Sequence, residues 1–200
     1  HWPDERATLL DRIRQLAPPA FHDADELTQS LVGESPAMQE VRRQVRRAAI
    51  TDCNVLLVGE TGTGKELAAG FIHRLSPRAS RPMVSINCAA IPDTLLESEL
   101  FGYERGAFTG ALTAHDGKLQ QAHGGTLFLD EVGDMSPVAQ AKVLRVFESQ
   151  PVYKLGGRTA IASNVRFVAA TNNDLAVATA ERRFRSDLYF RLNVAQIHLP

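Results

Sequence analysis

The chain has 200 residues, 44% of them hydrophobic and 22% charged, with a formal net charge of −1 at pH 7. That length supports one sizeable domain with its own core, and the near-neutral balance shows no strong electrostatic footprint for nucleic acid. No apolar run approaches the roughly 20 residues of a membrane-spanning helix, no signal-peptide core opens the chain, and Cys53 and Cys88 stand without clustered partners, which argues against a disulfide framework or zinc site and suits a reducing cytosol.

Because it opens on His1 rather than Met, the sequence is expected to be a piece of a longer protein. Between Asp4 and Ala17, the residues Ala7, Leu9, Leu10, Ile13, Leu16 and Ala17 recur near helical spacing and predict one amphipathic helix. "PPAFHDADELTQS" follows, and its proline pair and polar bias predict a linker. Residues 1–28 are therefore assigned to a linker region and residues 29–200 to a single domain. Ser35-Pro36 has the pattern of an N-cap and first helical position, and Met38, Val41, Val45, Ala48 and Ala49 line one face of the helix that follows. Arg42, Arg43, Arg46 and Arg47 are assigned to the opposite face, either solvated or against a partner.

From Cys53 onward the rhythm changes. "CNVLLVG", "MVSINC", "GTLFLDE", "VRFVAATN" and "AQIHLP" are short apolar runs separated by helix-like segments. Near-continuous apolar strands alternating with helices predict a mostly parallel five-stranded sheet covered on both faces, in a three-layer α-β-α arrangement. Right-handed crossovers place every strand's carboxyl end on one edge, where ligands bind. Gly59, Asn87, Asp130, Glu131 and Asn172 all fall at such ends.

The first strand runs into "GETGTGKE", which opens a helix carrying Leu67, Ala68, Phe71, Ile72 and Leu75. Its G-x-x-x-x-G-K core is a phosphate-binding P-loop. Gly59, Gly62 and Gly64 let backbone N–H groups close around phosphate oxygens, Glu60, Thr61 and Thr63 fill the loop between them, and Lys65 reaches the β- and γ-phosphates. Glu66 stands where the general signature has the Ser or Thr that ligates Mg²⁺.

"GTLFLDE" ends in Asp130 and Glu131. Beside a P-loop, a strand-end Asp holds Mg²⁺ and a neighbouring Glu orients and deprotonates the attacking water, which favours ATP hydrolysis over Ras-like GTP hydrolysis. Both carboxylates are therefore candidate metal-site residues. Asn172, at the end of "VRFVAATN", is either a strand-terminating turn or a polar sensor of the γ-phosphate. In "FRSDLYFRLN", Arg185 and Arg191 lie on a predicted helix as surface charges or as arginine fingers, in cis or in trans. "GAFTGA", residues 106–111, is open between a hairpin tip and a contact loop with an exposed phenylalanine.

Taken in order, "GETGTGKE", "ELFGYERGAFTGA", "GTLFLDEVGDMS", "VLRVFE", "VAATNNDL" and "FRSDLYFRLNV" closely resemble the AAA+ central domain of bacterial sigma-54-dependent transcriptional activators, over about residues 31–200. "GAFTGA" is the most specific of these motifs, and in that family Glu commonly follows the P-loop lysine. The resemblance implies an ATP- and Mg²⁺-dependent cytoplasmic machine, a ring hexamer or, before activation, a dimer. Such a machine remodels RNA polymerase holoenzyme carrying sigma-54 and binds DNA through a separate C-terminal domain. It also implies that Leu31, Val32 and Gly33 pack the adenine base, that Asn87 is a switch holding Glu131, and that Thr171 with Asn172 is the first sensor. By the same resemblance Arg185 and Arg191 act in trans, and Gly106, Ala107, Phe108, Thr109, Gly110 and Ala111 grip the sigma factor. The segment from Gly133 to Pro137 is expected to support that loop, Phe108 is expected to be exposed or poorly ordered, and the family's helical lid is expected to be missing from this chain. Two other readings compete: a non-catalytic nucleotide-sensing scaffold, and a different AAA+ remodeller, which would not carry "GAFTGA".

Overall fold

The computed structural model describes Leu31 and residues 33–200. The helix and linker predicted at the start of the chain, and Val32, lie outside the described residues.

The first helix, α1 (Pro36–Ala49), starts as its sequence predicts, with Ser35 accepting an N–H from Met38 and proline at the first position. Val41, Val45, Ala48 and Ala49 are buried on one side. Arg42 departs from expectation: it is 8% exposed, and its guanidinium donates to the carbonyls of Leu31 and Gly33, both at 2.8 Å. A long aliphatic stem can run along an apolar face while its head finds backbone acceptors, so Arg42 fastens the preceding segment to α1. Arg43, Arg46 and Arg47 are exposed.

Five strands follow, β1 (Val55–Val58), β2 (Met83–Asn87), β3 (Thr126–Asp130), β4 (Arg166–Thr171) and β5 (Ala195–His198). They form one sheet in the order β2-β3-β4-β1-β5, and every neighbouring pair is parallel. The sheet is thus wholly parallel, where the sequence predicts a mostly parallel one. Between the strands lie α2 (Lys65–Arg74), α3 (Asp93–Phe101), the short α4 (Lys118–Gln121), α5 (Pro137–Phe147), α6 (Leu175–Ala180) and α7 (Ser186–Leu192).

Successive strand residues point to opposite faces. Val55, Leu57, Phe128, Val168, Ala170 and Ile197 pack with α1 and α2. Leu56, Leu127, Leu129, Phe167 and Ala169 pack with α3, α5, α6 and α7. The result is three layers, α-β-α, with both sheet faces dry.

At the amino edge of the sheet, buried Arg166 donates to the carbonyls of Ala48, Ala49 and Cys53, closing the carboxyl end of α1 onto β4. At the same edge, Arg78 pairs with Asp52 through two bonds of 2.7 Å and also reaches Gly125 O and Asn164 O. These contacts leave the carboxyl edge to carry the functional groups. The stretch between α3 and α4 leaves the layers as a hairpin. Its two limbs cross at Gly102 and Gly117, where a Cβ on Gly117 would lie 2.4 Å from Gly102 N; only glycine fits there.

Candidate functional site

The strand order sets β3, β4 and β1 side by side, so their carboxyl ends deliver Asp130, Thr171 and Gly59 to one place. Gly59 N donates to Thr171 O at 3.2 Å, continuing the ladder one step past β1. A Cβ on Gly59 would meet Leu199 O at 2.7 Å, so this position has no room for a side chain. Gly62 (φ 88°) and Gly64 (φ 89°) are left-handed, which curls the loop back before α2 begins at Lys65. Gly64 caps α2 without a side chain, so the first-turn N–H groups are directed at the loop's interior.

Lys65 is buried. Its ammonium donates to Gly59 O at 2.8 Å and Glu60 O at 3.0 Å and lies 3.4 Å from Glu131 Oε1. Thr63 Oγ1 donates to Glu60 O at 2.9 Å, which braces the turn, while Glu60, Thr61 and Glu66 are exposed. Leu31 lies against the loop: a Cβ on Gly64 would stand 3.5 Å from its Cδ2. Gly33 is left-handed (φ 128°), and a Cβ there would press on Met38. Leu31 and Gly33 are thus held beside α1 and the P-loop by Arg42, a contribution for which the sequence offered no signal beyond a run of arginines.

The carboxylates have separate partners. Asp130 Oδ2 accepts from Asn87 Nδ2 at 2.9 Å, and Asp130 Oδ1 accepts the N–H of Glu131 at 3.1 Å. Asn87 Oδ1 in turn accepts from the N–H groups of Ala89 and Ala90. The hydrogen bond expected between Asn87 and Glu131 is therefore replaced by one to Asp130. The register explains this, because Asn87 is directly opposite Asp130 across the β2–β3 pair. Glu131 adopts a left-handed conformation (φ 50°, ψ 52°) that turns it away from β2 and toward β4. There its Oε2 accepts the backbone N–H of Asn172 at 2.9 Å.

Burial, and then the neighbouring Glu131 charge, raises the Asp130 carboxyl above the ordinary carboxylate range. A cation close by would relieve both effects. Cys88, next along the chain from Asn87, is pushed up to about 12, first by burial and then by Asp130, so its thiol stays protonated and is no nucleophile here.

Thr171 is fully buried, with Oγ1 accepting the N–H of Asn173. The Asn172 amide reaches Thr61 Oγ1 at 3.4 Å, directly across the mouth of the P-loop. Lys65, Asp130 and Glu131 line a cavity of about 270 Å³ with Gly62 and Gly64 of the loop. Its contents are backbone donors at a helix N-terminus, an ammonium and two carboxylates, the donor set that binds a nucleoside triphosphate with a divalent cation. Among the described residues no group of three or more His, Cys, Asp or Glu could hold a metal ion. A cation shared with phosphates and water needs fewer protein ligands, so the residues present fit Mg²⁺ delivered with a nucleotide.

Neither arginine candidate lines this cavity. Arg185 is the residue before α7, and its guanidinium forks onto Asp187 at 2.8 and 3.0 Å with both side chains about half exposed. Arg191 lies exposed in the last turn of α7.

Residues 106–111 form a tight turn at the hairpin tip. Gly106 N donates to Ala111 O and Ala111 N to Phe108 O. Gly106 (φ 82°) and Gly110 (φ 100°) need glycine for conformation alone, since a Cβ on either would touch nothing. Thr109 is exposed, Ala111 is buried and Ala107 lies between. Phe108 is 43% exposed but not loose: its ring meets Tyr103 edge-on at 4.9 Å between centroids.

The support for this tip differs from expectation. Glu104 N donates to Leu155 O, Leu155 N donates to Gly102 O, and a Cβ on Gly156 would lie 3.1 Å from Ala107. Leu155 and Gly156 belong to a second hairpin, closed by Ile161 N donating to Val152 O and by a Tyr153–Ala160 bridge. Gly133, by contrast, abuts Thr171 and Asn173 beside the phosphate cavity. The segment after Glu131 turns against the end of β4, with Gly133 beside Thr171 and Asp134 accepting from Asn173, and so lies away from the tip. The paired glycines of "KLGGRT" were the available signal for the second hairpin.

Comparison with known proteins agrees with this geometry. The Sigma-54 interaction domain family matches residues 31–198. The Nif-specific regulatory protein of Azotobacter vinelandii is 55% identical over 170 residues, covering 85% of this chain and 33% of that protein. The DNA-binding transcriptional regulator NtrC of Klebsiella pneumoniae is 46% identical over 201 residues, covering 98% of this chain and 43% of its own length. The chain thus spans less than half the length of these relatives. Among solved structures, NtrX from Brucella abortus in complex with ADP superposes with a TM-score of 0.79 at 36% identity, over 98% of this chain and 40% of that one. Its complex with ATP gives 0.78.

Proposed function

This chain belongs to the Sigma-54 interaction domain family, and from that premise we propose that it is an ATPase that remodels the sigma-54 RNA polymerase closed promoter complex to drive open-complex formation. The observation that carries the proposal is the convergence of Lys65, Asp130 and Glu131 on one cavity beside the glycine loop of an AAA+ fold, with Glu131 held by the backbone N–H of Asn172 on the neighbouring strand end.

Bound ATP with Mg²⁺ would supply the scissile phosphoanhydride and the charge neutralisation that its cleavage needs. The chain supplies the rest. The first-turn N–H groups of α2 and the loop glycines cradle phosphate oxygens, and Lys65 exchanges its carbonyl acceptors for the β- and γ-oxygens. Asp130 is the cation ligand, assisted by Glu131. Glu131 orients a water and accepts its proton as the new P–O bond forms and ADP departs. Asn172 holds Glu131 through its backbone N–H and exchanges the long bond from its side-chain amide to Thr61 Oγ1 for the γ-phosphate. Leu31, Val32 and Gly33 pack the base.

The output runs through the hairpin between α3 and α4, whose tip presents Phe108 and Thr109 to sigma-54. Arg185 and Arg191 act on nucleotide held by an adjoining subunit of a ring, with a dimer as the state before activation. DNA contact belongs to a separate C-terminal domain, and the setting is the cytoplasm. Among the described residues no helix is long and apolar enough to cross a membrane.

Three substitutions in the full-length protein separate these roles. Lys65→Ala abolishes nucleotide binding. Glu131→Ala keeps binding and lowers turnover by about 10²–10⁴-fold, the scale of a lost general base. Thr109→Ala retains much of the ATPase and loses open-complex formation. ATP binding, phosphate release and promoter opening are the measurements; normal turnover in both of the first two variants would remove the site assignment, and intact promoter opening in the third would remove the role of the tip.

A further inference from the structure

Gln140 lies on α5 and is 1% exposed, and its hydrogen-bond partners are backbone groups of two other segments. Nε2 donates to Met135 O at 2.8 Å and to Arg183 O at 3.2 Å, and Oε1 accepts the N–H of Arg185 at 2.9 Å. Met135 closes the short turn Val132–Asp134 that Glu131 opens. Arg185 is the residue from which α7 starts. One buried amide therefore joins the turn that follows Glu131 to the backbone of the arginine candidate.

The other contacts of Arg185 are local, its carbonyl accepting the N–H of Tyr189 at 3.0 Å in the first turn of α7. Its guanidinium is held only through the local, half-exposed fork onto Asp187, which leaves it at the surface and available for exchange. Inside, Phe184 is anchored in the core, and Ala178 O accepts from Arg183 N and Phe184 N. These bonds fix the turn before Arg185 but not its relation to Glu131. A buried amide with both N–H groups donated and its oxygen accepting has a narrow set of tolerated geometries, so a shift of the Glu131 turn displaces Gln140 and with it the N–H of Arg185.

We propose that Gln140 is a positioning residue that sets the reach of Arg185 toward nucleotide on an adjoining subunit and ties that reach to the turn beginning at Glu131. This rests on the reading of Arg185 as acting in trans. Gln140→Glu keeps an acceptor for Arg185 N but removes both donors and sets a carboxylate against two carbonyls. The KM for ATP stays within about twofold while kcat falls by about tenfold or more, the split expected when an interaction made only in the transition state is misplaced.

Mixing experiments in the full-length protein supply the readout that a merely structural role would not move. Gln140→Glu subunits keep every residue of the phosphate site and carry a misplaced arginine, whereas Glu131→Gln subunits have the reverse. In randomly mixed rings, about one quarter of the head-to-tail interfaces pair a good site with a good arginine. ATPase activity above that of either variant alone is the expected result. Arg185→Ala mixed with Glu131→Gln is the control. Rescue in the control without rescue of Gln140→Glu overturns the role of Gln140 and leaves that of Arg185 standing. Failure of both mixtures overturns the trans action of Arg185, and this proposal with it. An unchanged kcat in Gln140→Glu also overturns it. Gln140→Met is carried through the same assays, and loss of the thermal transition in both variants would assign Gln140 to core packing alone.

Discussion

Asn87, Asp130 and Glu131 show how much depends on a single residue's direction. Adjacent carboxylates on a strand end repel, and here they are separated by turning one of them into the left-handed region. Asp130 stays with β2 through Asn87, while Glu131 passes to β4 through the N–H of Asn172. Asn87 thus acts on Asp130 first and on Glu131 only through it. A hydrogen bond to a charged group contributes about 1.5–3 kcal/mol, so Asn87→Ala is expected to lower ATP turnover by about tenfold and to weaken the nucleotide dependence of sigma-54 binding. Steady-state ATPase and pull-down with and without nucleotide measure both; no change in either would remove Asn87 from the coupling. The residue identities at this site were legible because strand, loop and helix follow one another within a few positions. The partner of Asn87 was not, because it depends on the register between strands distant in sequence.

Elements are joined at the two edges of the sheet by opposite means. The carboxyl edge is kept open and polar, while the amino edge is locked by arginines. Arg78, which follows α2, bonds Asp52, Gly125 O and Asn164, so one side chain connects the approach to β1 with the segments entering β3 and β4. Its hydrogen bonds lower the Asp52 carboxyl below the ordinary value of 3.8. A lowered acid contributes stability above its unfolded pKa and loses it as pH falls through the folded one. Arg78→Met is therefore expected to melt at a lower temperature than the parent chain at pH 7, and the gap is expected to narrow below pH 3.8 as Asp52 protonates in both proteins. Thermal melts across that range check it; a gap independent of pH would place the stabilisation in the carbonyl bonds alone. Nothing in the local sequence marks Arg78 for this task, since its partners come from three separate stretches of chain.

For the molecule as a whole, the two faces of the sheet have different duties. One face carries α1 and α2, the helices beside the phosphate cavity, and the other carries the longer cluster beneath α3, α5 and α7. Arg166 connects them, since it belongs to β4 yet closes the end of α1 from within the core. Removing it would take that donor from the carbonyls of Ala49 and Cys53, at about 1–3 kcal/mol for each group left unsatisfied, while Ala48 O keeps the Thr51 hydroxyl and N–H. Arg166→Met is expected to lower the melting temperature by several degrees, and to loosen α1 with Leu31 and Gly33 before the sheet. Hydrogen exchange resolved by segment tests this; uniform loss of protection would show that Arg166 supports the whole core equally.

The layers, the parallel run of the strands, a glycine-rich loop between strand and helix, and Asp130, Glu131 and Asn172 at strand ends were all legible in the amino-acid sequence. Apolar periodicity and loop chemistry are local properties, written within stretches of a few residues. That β4 lies between β3 and β1, that Asn87 meets Asp130, that Arg42 and Gln140 turn inward, and that Leu155 and Gly156 brace the tip at Phe108 emerged from the packed chain. Those outcomes depend on which distant segments share a face or a register, and the pattern of any one segment is compatible with several such partners until all of them pack at once.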